Sequence, residues 1–359
     1  MSTPRKLEKS TTIAFLLSSL KFGGAERVAL NLAHAFKAKG IDVCFLLMSY
    51  EGEFLGEALA HFEVINLQCD RTFKLPWKIA KYLYSHRPYV LISSFWKLNL
   101  CSCVARLSRM STKLLLWEHS PPSKSKNSPT LIYGLTASFF YQVATKIITV
   151  SSGVRDDITN NTIGLGKKLC VIYNPILPPR LSIEEISLER HAQIVWVGRL
   201  EEPKNPALAI EAFYCYSQLR NSVLNIIGTG SLRQDLERMV KSMDLEAQVV
   251  FHGFQDAPYK WLTGSQLLIL SSDREGLPTV LIEGLFSGID IVSTNCGGGI
   301  SDILCNGNYG TIVPPRDPVA LSQAMLAAMQ NPRPSANQLE GAKRFVPDLI
   351  AKQFLSALI

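Results

Sequence analysis

Glu275 and Glu283 stand eight residues apart in the segment Ser271-Ser272-Asp273-Arg274-Glu275-Gly276-Leu277-Pro278-Thr279-Val280-Leu281-Ile282-Glu283. Before them, Gln266-Leu267-Leu268-Ile269-Leu270-Ser271 is a short apolar run closed by polar residues, the pattern of a buried strand. Gly276-Leu277-Pro278 is a turn, and Thr279 opens a helix through Val280, Leu281, Ile282 and Glu283. One acid therefore falls on the loop leaving the strand and the other inside the helix behind it. A crevice at the carboxyl end of a strand, beside a helix N-terminus, accommodates a phosphorylated sugar. Carboxylates placed there accept hydrogen bonds from sugar and ribose hydroxyls. Taken alone, two such acids are ordinary solvated side chains, so the neighbouring elements decide.

Three further sets point the same way. Arg199 and Lys204 follow the apolar run Ile194-Val195-Trp196-Val197-Gly198 on a strand exit. Two cations there neutralise a diphosphate, Arg199 through two oxygens at once and Lys204 as a point charge. Gly23-Gly24 lies between a strand and a helix, where paired glycines let backbone N–H groups approach a phosphate closely. His119, in Leu116-Trp117-Glu118-His119-Ser120, comes just past another apolar run. Other chemistries are absent. Gly228-x-Gly230 is too short for a dinucleotide fingerprint, and no G-x-x-x-x-G-K-[ST] loop exists. There is no Asp-x-Asp pair, and Asp156-Asp157 is adjacent and reads as helical.

The elements that must position these residues form two series. At 359 residues the chain exceeds the size at which one core usually splits, so two domains are expected. Strands read at 12–18, 43–48, 64–67, 90–93, 113–117 and 146–150, with helices at 24–39 (ending at Gly40) and 77–85. Strands separated by helices predict a parallel sheet covered on both faces. Asn174-Pro175-Ile176-Leu177-Pro178-Pro179 is a linker signal, after which a second alternating series runs from Gln193 to about Gln330. The segment 342–359 reads as helical. The boundaries are therefore 1–177, 178–341 and 342–359.

Composition adds further bounds. The eight cysteines form no C-x-x-C pair and read as free thiols, mostly buried, in a reducing compartment. No run of about 18 apolar residues exists, so no membrane-spanning helix is expected, and residues 1–12 read as a polar tail rather than a signal peptide. Met1 to Arg180 holds 23 Lys and Arg against 11 Asp and Glu, a net of +12, while the rest holds 14 against 19, a net of −5. Only the first half is basic, which implies an anionic partner for it. Lys74-Leu75-Pro76-Trp77-Lys78-Ile79-Ala80-Lys81-Tyr82-Leu83-Tyr84 mixes basic and aromatic residues at helical spacing. Leu131 to Val143 is apolar with Tyr133, Phe139, Phe140 and Tyr141, preceded by Lys124 and Lys126. Such helices lie in a membrane interface. Peripheral contact with an anionic inner leaflet is the expectation, set against the plainer reading of a core helix with a solvated face. No nucleic-acid-binding motif is present, so no nucleic acid is expected as partner.

The spacing of the two acids, with Gly-Leu-Pro after the first, resembles the retaining glycosyltransferases of the GT-B fold, specifically the large family 4 that builds bacterial polysaccharides. The blocks Ile194–Leu200 with Glu201-Glu202-Pro203-Lys204-Asn205, then Leu224–Ser231 with its Gly228-Thr229-Gly230, and Val249–Phe254 match in order, as does Phe22–Val28 near the N-terminus. The resemblance implies an α/β architecture of two Rossmann-like, doubly wound parallel-sheet domains facing a central cleft. It also implies that the C-terminal helix crosses back onto the first domain. Transfer of a sugar from a nucleotide diphosphate sugar, UDP on family frequency, to a lipid-linked glycan at the cytoplasmic face of the inner membrane follows from it.

By the same resemblance His119 contacts the transferred sugar, Glu275 holds the donor sugar hydroxyls and Glu283 binds the ribose. Backbone N–H groups of Leu277, Pro278's neighbour Thr279 and Val280 reach phosphate or sugar oxygens, and Gly253 and Phe254 frame the base. The loop of Gly23 and Gly24 faces the donor phosphate, with Glu26 and Arg27 as secondary candidates. Arg199 and Lys204 take the place of a divalent metal, so no metal or other cofactor is expected and activity should persist in chelators. Cys296-Gly297-Gly298-Gly299 matches a glycine turn that shapes the cleft, and Asp290 stands where the family prefers proline. Two other outcomes fit the same fold, a sugar-nucleotide epimerase and a non-catalytic binding subunit.

Overall fold

The structure, a computed structural model, describes residues 12–69, 71–124, 130–178, 193–217, 222–255 and 257–358. The polar tail at 1–11, Lys126 and Pro179 lie outside the described residues. The chain divides into two compact units, Met1–Pro175 with Pro347–Ile359, and Ile176–Val346.

The first unit is built on seven strands: β1 (Ile13–Leu17), β2 (Val43–Leu47), β3 (Glu63–Asn66), β4 (Val90–Ser94), β5 (Lys113–Glu118), β6 (Lys146–Thr149) and β7 (Leu169–Val171). They pair in the order β3-β2-β1-β4-β5-β6-β7, and every pairing is parallel. The IAFLL of β1 and VCFLL of β2 are buried at every position. A parallel strand covered on both faces has no polar side to show, which is why these segments read as apolar runs. The order reverses between β1 and β4. The carboxyl ends of those two strands therefore open a crevice from which the connecting loops diverge to opposite sides.

The second unit repeats this plan with β8 (Gln193–Val197), β9 (Val223–Ile227), β10 (Val249–Gly253), β11 (Leu267–Leu270), β12 (Asp290–Thr294) and β13 (Thr311–Val313). The order is β10-β9-β8-β11-β12-β13, again all parallel, and here the reversal falls between β8 and β11. Trp196, Phe213, Leu224, Ile226 and Leu267 belong to one buried cluster under this sheet. Asp290, at the first position of β12, is 3% exposed and is held by Arg333, Nη1 to Oδ1 at 3.0 Å, and by the Arg333 backbone N–H at 3.0 Å. It therefore starts the strand as a neutralised carboxylate, away from the candidate site.

Helix bounds agree with the periodicity within one or two residues for Gly24–Ala38 and less closely for Leu75–His86, where Pro76 in the first turn lets the helix begin earlier. The C-terminal segment differs from the reading of one helix over 342–359. It comprises the helix Ser335–Ala342, a 3₁₀ turn at Lys343–Phe345 and the helix Pro347–Ser356. Pro347 forces Val346 into an extended conformation, φ −66° and ψ 138°, which breaks the run. The Pro347–Ser356 helix belongs to the first unit. Phe354 meets Trp117 edge-on at 5.1 Å between ring centroids and Phe36 at 6.4 Å. Lys39 pairs with Asp348 on its outer side. All eight cysteines are free thiols, Cys44, Cys69, Cys101, Cys103 and Cys296 among them buried. Among the described residues no helix is long and apolar enough to cross a membrane.

Candidate active site

In the second unit two of the predicted residues, Lys204 and Glu275, meet at the reversal point between β8 and β11. The β8 exit turns through Gly198 into a 3₁₀ turn at Glu202–Lys204, and the β11 exit runs through Ser271 and Ser272 to Glu275. Lys204 Nζ lies 2.6 Å from Glu275 Oε1, and the Ser272 hydroxyl donates to the same oxygen at 2.7 Å. Only 9% of the Glu275 side chain reaches solvent. The two loops are stitched below this pair. Trp196 Nε1 donates to Ser271 Oγ at 3.0 Å, Ser271 Oγ donates to the Asn205 carbonyl at 2.7 Å, and the Asp273 N–H donates to the Pro203 carbonyl at 2.9 Å. Ser271 and Ser272 are fully buried, and neither was singled out from the sequence. Two serines closing an apolar strand were the only signal, a common one.

Arg199 is exposed, and its guanidinium makes no hydrogen bond or ion pair among the described residues. Glu283 sits in the helix Thr279–Ser287, which Pro278 caps, with Leu277 6% exposed just ahead of it. Burial pushes the Glu283 carboxyl up to about 7, and nothing among the described residues pairs with it. The Leu281 N–H donates back to the Pro278 carbonyl at 3.1 Å, while the Thr279 and Val280 N–H groups precede any intrahelical acceptor.

Glycines bring the backbones of these loops together. A Cβ on Gly228 (φ 135°) would lie 1.9 Å from the Gly198 carbonyl, and one on Gly230 would lie 2.3 Å from that of Leu200. The Gly228 N–H donates to the Gly253 carbonyl at 2.7 Å, so the exits of β8, β9 and β10 pack backbone on backbone. Gly253 has φ 69°, and Phe254 beyond it is 53% exposed. In the second glycine turn a Cβ on Gly298 (φ 66°) would lie 2.2 Å from the Glu275 carbonyl oxygen. That turn is the buttress behind Glu275.

In the first unit Gly23 caps the helix Gly24–Ala38 with φ −166°, and a Cβ there would lie 2.1 Å from Glu26 Oε2. Partial burial raises the Glu26 carboxyl above the usual range. Arg27, the other candidate here, is committed elsewhere: its Nη1 binds both Glu57 oxygens at 2.8 and 3.0 Å and its guanidinium lies over the Phe54 ring. It ties two helices together. His119 follows β5 with its ring 4.6 Å from Trp117 and 5.3 Å from Phe95, and its Nε2 is 3.5 Å from Ser94 Oγ. Burial pushes its pKa down to about 3, so the imidazole is neutral. A neutral imidazole offers one donor and one acceptor rather than a charge.

Beside it stands a cluster the sequence did not disclose. Glu118 is 4% exposed, and its Oε1 accepts from the Asn99 amide at 2.9 Å and from the Tyr141 hydroxyl. Burial pushes this carboxyl up to about 7, against the lowering effect of its two donors. A charged residue closing an apolar strand was the available signal, and His119 next to it drew the attention.

Two parallel sheets, each with a reversal of strand order, are the architecture of the GT-B glycosyltransferases. The chain belongs to that family: residues 182–345 match glycosyl transferases group 1 and residues 22–178 match glycosyltransferase family 4. A Campylobacter jejuni N-acetylgalactosamine-N,N'-diacetylbacillosaminyl-diphospho-undecaprenol 4-alpha-N-acetylgalactosaminyltransferase is 30% identical over 84% of this chain and 85% of its own length. The lipopolysaccharide 1,6-galactosyltransferase of Salmonella typhimurium is 23% identical over 84% and 85%. Among solved structures, Anabaena HepE in complex with UDP superposes with a TM-score of 0.82 at 20% identity, covering 97% of this chain and 99% of that one. The fold is thus shared well beyond the reach of sequence identity.

Proposed function

We propose that this glycosyltransferase moves a sugar from a UDP-sugar to a lipid-linked glycan in the assembly of a bacterial surface polysaccharide, with retention of configuration and without a divalent metal. The Lys204–Glu275 pair at the β8/β11 reversal carries this reading, because it sets a cation and a hydroxyl acceptor side by side where the fold binds ligands. Arg199 and Lys204 take the diphosphate, Glu275 the donor sugar hydroxyls, Glu283 the ribose, and Gly253 and Phe254 frame the base. Backbone N–H groups beside Pro278 face phosphate or sugar oxygens. In the first unit Gly23, Gly24 and Glu26 serve the phosphate and acceptor side, and neutral His119 hydrogen-bonds the transferred sugar. Front-side displacement, in which the leaving phosphate takes the acceptor proton, needs mainly electrostatic stabilisation of the departing charge. The Campylobacter relatives act on undecaprenyl diphosphate-linked glycans, which favours a lipid-linked acceptor here. An epimerase or a non-catalytic binding subunit remains the rival outcome of the tests.

Thermal shift with UDP, GDP, ADP and CMP, on the wild type and Glu283→Ala, tests the donor site. A dose-dependent rise with UDP that vanishes in the variant is expected. Since Glu283 is raised to about 7, its acceptor form is lost as pH falls through that value. The UDP-induced rise should therefore shrink between pH 8 and pH 6, and UDP release from the matching UDP-sugar should persist in EDTA. Stabilisation by none of the nucleotides at either pH would move the binding-subunit reading ahead.

The same proposal includes peripheral contact with the cytoplasmic face of the inner membrane. Leu131, Ile132, Leu135 and Phe139 of the Thr130–Phe140 helix are all exposed, while Tyr133, Gly134 and Ala137 face the unit's interior. Trp77 and Tyr84 are 79% and 69% exposed on the Leu75–His86 helix, beside exposed Lys74 and Lys81. An exposed apolar stripe and an exposed basic aromatic one in the same unit match an anionic interface, at about 1 kcal/mol per basic residue near the surface. Vesicles with about one third anionic lipid should pellet the protein in low salt, and Leu135→Glu with Phe139→Glu should abolish pelleting. Salt-independent or absent association would retire the membrane role without touching the donor site.

A further inference from the structure

Two rungs of side chains cross between the β8 and β11 exits of the second unit. One is Lys204 with Glu275, Nζ to Oε1 at 2.6 Å. The other uses the next residue of the β8 exit and the residue two places earlier on the β11 exit: Asn205 Nδ2 donates to Asp273 Oδ1 at 3.2 Å. Neither Asn205 nor Asp273 is among the groups assigned to the donor. The second rung is nevertheless restrained from both ends.

Asn205 has φ 44° and ψ 56°, the left-handed region that asparagine tolerates better than most side chains. In that conformation its Oδ1 accepts from the Leu208 N–H at 3.2 Å, in the first turn of the helix Pro206–Ser217, while its Nδ2 meets Asp273. At the other end the Asp273 N–H donates to the Pro203 carbonyl at 2.9 Å. Arg316 closes the arrangement from a third loop, the exit of β13. It grips Asp273 with a two-point fork, Nε to Oδ1 at 3.2 Å and Nη2 to Oδ2 at 2.9 Å.

An ion pair at the surface ordinarily contributes little. Three features set this one apart. The Asp273 side chain is 17% exposed and that of Arg316 75%, so the carboxylate sits among the loops and the guanidinium covers it. The fork fixes direction as well as distance. Arg316 also holds φ 58°, within Pro314-Pro315-Arg316-Asp317-Pro318, where prolines restrict the backbone on both sides. Glycine takes that conformation at no steric cost, whereas arginine bears one that its fork offsets.

We propose that Arg316 and Asp273 are positioning residues for sugar transfer: Arg316 locks Asp273, Asp273 locks Asn205, and the locked rung sets how Lys204 and Glu275 face the donor. Lys204 is the immediate neighbour of Asn205, and Glu275 stands two residues beyond Asp273, so a loosened rung moves both groups at once. A misplacement of about 1 Å at groups of this kind costs up to about 10²-fold in rate. The inference rests on the glycosyltransferase reading and deepens it, since it places control of the Lys204–Glu275 pair on a loop two strands away from β11.

The test is a double-mutant cycle on the full chain, with UDP release from the matching UDP-sugar as readout. Arg316→Ala should lower kcat about tenfold in the wild-type background and less than about twofold further in Lys204→Ala, because the group it positions is then already gone. Its melting temperature should stay within about 2 °C of wild type, as expected for an exposed side chain. Asp273→Asn, which removes the charge that holds the fork, should reproduce the loss and its dependence on Lys204. Wild-type kcat in both variants, a loss of the same size in both backgrounds, or a loss matched by a fall in melting temperature would each overturn the proposal. If Lys204→Ala is impaired while Arg316→Ala and Asp273→Asn are not, the clamp alone fails. If Lys204→Ala itself turns over at the wild-type rate, the reading of the Lys204–Glu275 pair fails and takes the clamp with it.

Discussion

Lys204→Ala is expected to lower the rate of UDP release from the matching UDP-sugar by about 10²–10³-fold, the cost of losing one preorganised group aimed at developing charge. The ammonium lies 2.6 Å from Glu275 Oε1, so a largely buried carboxyl holds it in place. That preorganisation is what makes the group worth about 2.7–4 kcal/mol, since no rearrangement is needed as the bond breaks. The substitution also leaves Glu275, 9% exposed, with Ser272 as its remaining side-chain donor among the described residues. Part of the loss therefore comes through a displaced acid. A double-mutant cycle separates the two effects. If Lys204 acts partly by placing Glu275, then Lys204→Ala combined with Glu275→Gln loses less than the sum of the single losses. Lys204→Arg should recover little, because a planar fork does not occupy the point-charge position against a single oxygen. Turnover within a few-fold of wild type in Lys204→Ala would remove Lys204 from the catalytic set.

The second large effect is on stability. Phe354→Ala should destabilise the first unit by about 3–5 kcal/mol, the usual cost of deleting a buried aromatic ring. Phe354 is 1% exposed and stands against Trp117 and Phe36, which are also fully buried. Phe36 and Trp117 are in turn packed against Phe15 and His119, which limits their movement into the space. At about 2–4 °C per kcal/mol for a unit of this size, the melting temperature should fall on the order of 10 °C. The result bears on function, because Trp117 is the inner neighbour of His119. A melting curve unchanged by Phe354→Ala would mean that the last helix is not part of the first unit's core.

Much of the fold was legible because parallel strands buried on both sides leave continuous apolar runs, as in Ile13–Leu17 and Leu267–Leu270. The loop residues of the second unit were legible for a related reason. Lys204, Glu275 and Glu283 sit on strand exits and the helix that follows, and those positions can be counted along the chain. The segment after Ala342 was not, since a helical period continues across Pro347 while the backbone does not. Arg27 reads from the sequence as an available cation on a first helical turn, whereas Glu57, thirty residues away, holds its guanidinium.

The sequence by itself determined two alternating α/β series, the family, and the types and order of the groups at the strand exits of the second unit. These depend on local period and on spacing, which the chain carries in one dimension. Tertiary structure alone decided what each group is paired with. It joined Lys204 to Glu275 across 71 residues, left the Glu283 carboxyl without a partner among the described residues, and returned Phe354 to Trp117 from the far end of the chain. It also made Glu118 a buried carboxyl held by Asn99 and Tyr141. Burial and partnership set the energy of a charge, and both are fixed by residues that sequence distance does not order.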